Sequence, residues 1–147
     1  MTETTEILTA LPYSEPFLFV DQLSSVSENG AAGGYTFKKD AYFYAGHFKD
    51  RPVTPGVILI ECMAQIGLVC YGIYLSKNQQ ATDLNSAFVM SSSEIDFFLP
   101  VLPGESVRVI SEKIYYRFQK LKCKVKMINS NDKIVCKGTI SGMLLNN

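Results

Sequence analysis

The chain has a single histidine, His47, so imidazole chemistry near neutral pH falls to this residue. It stands in Gly46-His47-Phe48-Lys49-Asp50-Arg51-Pro52-Val53-Thr54-Pro55-Gly56, and a long apolar run carrying one acid, Glu61, follows. Thr54-Pro55-Gly56 reads as a helix start, with Thr54 capping and Pro55 at the first helical position. Gly56 is then the second helical residue, among those whose N–H has no intrahelical acceptor. Such an N–H, at the positive end of a helix, is suited to polarise a carbonyl oxygen, and the missing Cβ lets a substrate approach the backbone. The Thr54 hydroxyl either takes this N–H as an ordinary cap or bonds the Val57 N–H and leaves Gly56 free. Glu61 lies among Ile58, Leu59, Ile60, Cys62 and Met63, surroundings that raise a carboxyl pKa and keep the proton on near neutrality. Gln65, one turn on, shares its face and is placed to hydrogen-bond it. The plainer alternatives are a structural histidine and a Glu61 that satisfies backbone groups or pairs with Arg51. A base, a protonated acid and a carbonyl-polarising N–H together suit removal of a proton α to a carbonyl with loss of a β-hydroxyl, or the reverse hydration. That chemistry requires no metal and no organic cofactor.

These residues need elements to position them. Residues 3–10 suit a short helix, ended at Leu11-Pro12 by the proline. Phe17 to Ser27 predicts a strand, Asn29-Gly30 a turn, and Gly33 to Lys38 a second strand. Ala41 to Pro55 is irregular, and a helix runs from about Pro55 to Lys77. After a polar connection from Lys77 to Asn85, four strands follow: Ala87–Leu99, Ser106–Phe118, Leu121–Asn129 and Lys133–Leu145. Pro103-Gly104 and Ser130-Asn131-Asp132 supply turns between them. Two strands, one buried helix and four strands is an α+β order: an antiparallel sheet packed around one helix. With no repeat, linker or low-complexity tract, residues 1–147 read as one domain, the size that a single core supports.

Composition narrows the function. Lys+Arg and Asp+Glu number 14 each, for a formal net charge of zero, against the basic excess of a nucleic-acid binder. Neutrality mildly favours self-association. Cys62, Cys70, Cys123 and Cys136 are dispersed, and with a polar, acidic start unlike a signal sequence they read as reduced, buried thiols of a cytoplasmic protein. With one histidine they offer no zinc ligand set. The run from Val57 to Leu75 is long enough to span a bilayer. Glu61 and Gln65 within it, and the absence of a flanking basic cluster, favour a core helix instead. Lys120, Lys122, Lys124 and Lys126 alternate along one strand and share a face: either a plain solvated face or a docking surface for an acidic partner.

Gly46-His47-Phe48, Arg51-Pro52-Val53, Pro55-Gly56-Val57-Ile58-Leu59-Ile60-Glu61 and Met63-Ala64-Gln65 resemble the signature of bacterial (3R)-3-hydroxyacyl-[acyl-carrier-protein] dehydratases of the FabZ type. Leu11-Pro12, Pro16-Phe17-Leu18-Phe19-Val20-Asp21 and Pro100-Val101-Leu102-Pro103-Gly104-Glu105 resemble further motifs of that family, so the likeness spans nearly the whole chain. The resemblance implies a hotdog fold, a curved antiparallel sheet wrapped around one long central helix. It implies a homodimer, or a trimer of such dimers, with active sites at the subunit interface. His47 would be the catalytic base, Glu61 of the other subunit the acid, Gly56 the N–H donor and Gln65 the support of the acid. Glutamate at 61 resembles the simple dehydratases more than the bifunctional dehydratase-isomerases.

Departures from the pattern are Tyr13 in place of a histidine, Lys49-Asp50 in place of Pro-Gly, Thr54 in place of Met, and Ile95-Asp96-Phe97-Phe98-Leu99 where many relatives carry basic residues that receive the acidic carrier protein. Lys120, Lys122, Lys124 and Arg117 are candidates to replace that docking surface, and a specialised carrier, as in polyene or polyketide pigment pathways, fits these changes. The expected activity is dehydration of (3R)-3-hydroxyacyl-acyl carrier protein to the trans-2-enoyl thioester. The expected acyl tunnel is lined or entered at Phe43, Phe48, Pro55, Val57, Ile60, Phe97 and Phe98. Two other readings stand beside it: an acyl thioesterase using Glu61 and a water, and a non-catalytic subunit of a heterodimeric dehydratase.

Overall fold

The computed structural model describes residues 2–78 and 87–145. Helix α1 (Glu3–Thr9) opens the chain, its N-terminus capped by the Thr2 side chain accepting the Thr5 N–H, and it buries Ile7. Six strands follow: β1 (Gln22–Ser27), β2 (Gly30–Thr36), β3 (Ala87–Phe97), β4 (Ser106–Arg117), β5 (Lys120–Asn129) and β6 (Ile134–Leu145). They form one sheet in the order β1-β2-β4-β5-β6-β3, with every neighbour antiparallel. Between β2 and β3 a helix runs unbroken from Gly56 to Lys77. It comprises α2 (Gly56–Ala64), a π-helical stretch (Gln65–Cys70) and α3 (Tyr71–Asn78).

The helix lies in the trough of the sheet, as the hotdog fold requires. Along β5, Leu121, Cys123, Val125 and Met127 are buried toward it while the alternating lysines face away, the period-two signature of a strand with one solvated side. Irregular register in β1–β2, β3–β6, β4–β5 and β5–β6 supplies the curvature that bulges give a sheet. A close helix–sheet approach uses a glycine: a Cβ on Gly67 would stand 2.9 Å from the Ser111 side chain, and Ser111 Oγ donates to the Gly67 carbonyl at 2.8 Å. The helix is apolar and long enough for a bilayer, but 72% of that stretch is buried inside this fold. It is the core helix of the domain. All four cysteines are buried free thiols, and burial pushes each thiol pKa up.

Two expected strands shift. The first begins at Gln22, not Phe17, because residues 17–19 lend their backbone groups to the Gln65 side chain instead of a neighbouring strand. The second begins at Gly30, not Gly33. Its Gly-Ala-Ala-Gly-Gly run has little strand propensity, yet it lies between β1 and β4 where bulk cannot fit: a Cβ on Gly30 would stand 2.1 Å from the Ser111 carbonyl oxygen. The four later strands end within about a residue or two of expectation, as helix and strand ends commonly do. Of the expected polar connection, residues 79–86 lie outside the described residues.

Candidate active site

The segment before the helix is held by its own backbone. A 3-10 turn, Tyr42–Ala45, leads into Gly46-His47; the His47 N–H donates to the Phe43 carbonyl at 3.1 Å, and the Val53 N–H returns to the His47 carbonyl at 2.9 Å. The His47–Phe48 peptide is cis. His47 Nδ1 lies 2.9 Å from the Val53 carbonyl oxygen. A carbonyl only accepts, so Nδ1 carries a proton, and in the neutral ring the lone pair is on Nε2. The ring stacks on Phe48, centroids 4.1 Å apart, and is half-buried. A neutral imidazole held in this way can accept a proton at Nε2.

The helix start departs from expectation. Thr54 does not cap it: Pro55 occupies the N-cap position with no side-chain cap bond. The buried Thr54 hydroxyl is engaged 2.6 Å from the Tyr44 hydroxyl, and the Thr54 N–H donates to the Val101 carbonyl at 2.9 Å. Gly56 is therefore the first helical residue, and the helix begins one residue later than expected. The Pro55 carbonyl accepts from Ile58 and Leu59, and among the described residues no acceptor meets the Gly56 N–H. Both readings left open for the Thr54 hydroxyl give way to Tyr44, and the N–H is left open to a ligand at the positive helix end. The Phe97 ring lies against Gly56, where a Cβ would stand 3.2 Å from its Cζ.

Glu61 is half-buried one turn further in. Burial pushes its carboxyl pKa up, and the Gln65 hydrogen bond pulls partly the other way. Gln65 is itself fully buried and completely used: Oε1 accepts the Phe19 N–H at 2.8 Å, and Nε2 donates to the Phe17 carbonyl and to Glu61 Oε2, both at 3.0 Å. The amide cannot flip without losing all of these, so it presents an N–H to the acid in one orientation. Tyr13 shares this neighbourhood: burial, then the Glu61 charge, pushes its hydroxyl pKa up. Arg51 makes no ion pair with Glu61 among the described residues.

Within one chain His47 and Glu61 make no hydrogen bond to each other. Of the expected lining residues, Phe48, Val57, Phe97 and Phe98 are exposed, Val57 by 73%, and Pro55 is buried. Phe43 is partly buried and packs edge-on against Phe19 and Tyr44, as much a wall of the core as of a tunnel. The β5 lysines lie in a row along the outer face. Lys126 pairs with Lys137, which pairs with Asp96 beside Phe97, whereas Lys120 pairs with Met143 and so with Val89. From Val89 to Phe97 is about 26 Å at a strand's rise per residue. Arg117 and Lys120 therefore mark the end of the sheet remote from Gly56, and Lys124 stands nearer to it.

The FabA-like domain profile matches residues 11–140. The chain belongs to the FabA-like family. A 3-hydroxyacyl-[acyl-carrier-protein] dehydratase FabZ of Sinorhizobium medicae is 31% identical over 144 residues, 95% of this chain and 88% of the relative. The dehydratase of the same description from Clostridium botulinum (strain Loch Maree) is 35% identical over 108 residues, 73% of this chain and 72% of the relative. Among solved structures, the dehydratase heterocomplex ApeI:P of Xenorhabdus doucetiae superposes with a TM-score of 0.78 at 15% identity, covering 96% of this chain and 91% of that one. A hypothetical thioesterase of Streptococcus pneumoniae with coenzyme A gives 0.60 at 12%, covering 86% of both. At such identities the structural likeness speaks for the hotdog fold alone.

In this FabA-like chain the sequence reading missed Tyr44 and the Val53 carbonyl, which hold Thr54 and the His47 ring. Neither carried a signal. A tyrosine ten residues before a threonine in an irregular segment has no periodicity to pair them, and a backbone carbonyl is present at every position. Among the described residues no group of three His, Cys, Asp or Glu is placed to hold a metal.

Proposed function

We propose that the chain dehydrates a (3R)-3-hydroxyacyl thioester carried on acyl carrier protein to the trans-2-enoyl thioester, with His47, Glu61 and Gly56 as the reacting set. The observation that carries this reading is the division of labour in the geometry: an imidazole whose Nδ1 faces a carbonyl, and a half-buried carboxyl whose pKa burial raises, held by the Gln65 amide. His47 Nε2 takes the α-proton and the C–O bond to the β-hydroxyl breaks. Glu61 gives its proton to the departing oxygen, and water leaves. The electron pair of the C–H bond becomes the new double bond, and the transient charge on the thioester oxygen rests on the Gly56 N–H. The proton on His47 then returns to Glu61 to complete the cycle.

Two copies complete the site, with His47 of one protomer facing Glu61 of its partner. Three features support this arrangement: the missing His47–Glu61 contact within a chain, the exposed apolar helix start at Val57, and the unpaired edge of β3 ending in exposed Phe97 and Phe98. A further assembly into a trimer of dimers is compatible with it. The carrier protein engages the cations nearest the helix start, Lys124 with Lys126 and Lys137; Lys137 Nζ lies 5.8 Å from the centre of the Phe98 ring. With basic side chains absent from residues 95–99, this surface suits a specialised carrier of the polyene or polyketide kind, in the cytoplasm.

The test follows enoyl formation by ultraviolet absorbance from a (3R)-3-hydroxyacyl carrier-protein thioester, with free thiol measured in parallel. Absorbance without thiol release bears the reading out. Thiol release in its place makes the chain a thioesterase, and silence in both, with the dimer intact, makes it a partner subunit.

A further inference from the structure

The β4–β5 hairpin ends in Arg117-Phe118-Gln119-Lys120, and Phe118 is 94% exposed. Phe118 (φ 52°) and Gln119 (φ 62°) both adopt the left-handed conformation, that of a two-residue turn which asparagine and glycine fill at least cost. A phenylalanine here is held in a disfavoured backbone region, with its ring in water. Both terms oppose folding, and among the described residues the Phe118 ring packs on no other ring and stays in solvent, the pattern expected of a residue kept for an external partner.

Its surroundings define the partner. Met143 (46% exposed) and Leu145 (51%) lie beside the tip, where the Leu144 N–H bonds the Gln119 carbonyl. Arg117, Lys120 and Lys122 surround this apolar point, and among the described residues none of them is in an ion pair. Arg117 stacks over Tyr115 at 4.5 Å. Among the described residues, Glu6 and Glu28 at this end lie beside Lys77 and Lys113, and Glu112 stands opposite Lys124 in register, further from the tip. A projecting aromatic with aliphatic neighbours and a collar of cations suits the boundary of an anionic bilayer, where the ring enters the acyl region and the cations meet headgroup charge. A two-fold contact between copies here would set the three cations against one another. A carrier protein here would sit about 26 Å from the helix start that its cargo must reach.

We infer that the Phe118 hairpin docks this chain peripherally on anionic lipid surfaces, leaving the helix start at the opposite end of the sheet clear. The inference does not depend on the dehydratase reading. The full chain is sedimented with vesicles of phosphatidylcholine alone and of phosphatidylcholine with phosphatidylglycerol, at low and at physiological salt. The expected result is binding to the anionic vesicles only, weakening as salt rises. Lys120→Gln and Lys122→Gln should each weaken it about fivefold. Phe118→Asn should weaken it about tenfold or more, with the dehydratase rate unchanged and thermal stability equal or higher, since asparagine accepts the turn. No binding of wild type to anionic vesicles at low salt overturns the inference, as does equal binding by Phe118→Asn. A change of assembly mass in Phe118→Asn assigns the tip to a contact between copies, and a loss of carrier-protein affinity in that variant assigns it to an acidic protein; either result also overturns it.

Discussion

Replacing Gln65 by methionine tests whether this amide positions the acid. Methionine matches its length and volume, so packing around the fully buried site survives and only the polar contacts go. Two of these are structural: the Phe19 N–H and the Phe17 carbonyl lose their partners. A buried polar group left unpaired costs about 1–3 kcal/mol. The pair together costs about 2–5 kcal/mol, reduced where water reaches Phe17, and should lower Tm by about 10 °C. The third contact, to Glu61 Oε2 at 3.0 Å, acts on the reaction. A hydrogen bond to a charged group contributes about 1.5–3 kcal/mol, and Glu61 becomes a carboxylate as it gives up its proton, so kcat should fall about 10- to 100-fold while KM changes less. The pH profile separates this from general damage. The acid must be protonated to act, so activity is lost as pH rises through its pKa. Burial raises that pKa and the Gln65 bond lowers it, so removing the bond should move the alkaline limb to higher pH even as the plateau drops. A folded Gln65→Met enzyme with the wild-type rate and an unmoved limb would refute the positioning role. If Gln65→Met does not fold, Glu61→Gln serves in its place: it keeps an amide–amide contact and the fold, and should lose turnover about 100-fold or more.

Four further outcomes are expected. His47→Ala should lower kcat about 10²–10⁴-fold, read by enoyl absorbance, and His47→Asn, which retains a donor for the Val53 carbonyl, should lose as much activity with a smaller fall in Tm. Gly56→Pro removes the N–H at a position where proline suits a first helical turn and should cost about 10²-fold in kcat; it is measured in a Phe97→Ala background, because the ring lies where the new side chain would go. Tyr44→Phe strands the buried Thr54 hydroxyl and should destabilise by about 1–3 kcal/mol, whereas Tyr44→Phe with Thr54→Val should recover much of that by denaturant titration. A carboxyl whose folded pKa is raised contributes stability that is full at low pH and is lost as pH rises through that pKa; the Glu61 contribution to Tm should therefore decline from the ordinary carboxyl range upward, and Glu61→Gln should remove that slope.

What was legible in the sequence was local. The apolar run after Pro55 meant a buried helix because no polar face interrupts it, and Glu61 and Gln65 meant a contact because residues four apart share a helical face; they meet at 3.0 Å. The alternation from Lys120 to Lys126 meant a strand with one wet side, since successive side chains oppose, and the burial pattern of β5 is that alternation. Each inference needed only a helix or strand period. What only the tertiary structure decided joins residues far apart in the chain. Thr54 looked like a cap because it precedes a helix, but Tyr44 brings a buried hydroxyl to it, and one oxygen cannot serve both geometries. Residues 17–21 carried a strand's composition, but the Gln65 amide, from the middle of the helix, takes the backbone groups of Phe17 and Phe19 that a ladder would need. The glycine-rich start of β2 had little propensity of its own and became a strand because two flanking strands leave no room for side chains there. The lysine row has a period but no direction until the register of β5, β6 and β3 sets Lys126 toward the helix start and Lys120 away from it. Periodicity is written residue by residue, whereas hydrogen-bond competition and strand register depend on which distant segments the fold brings together.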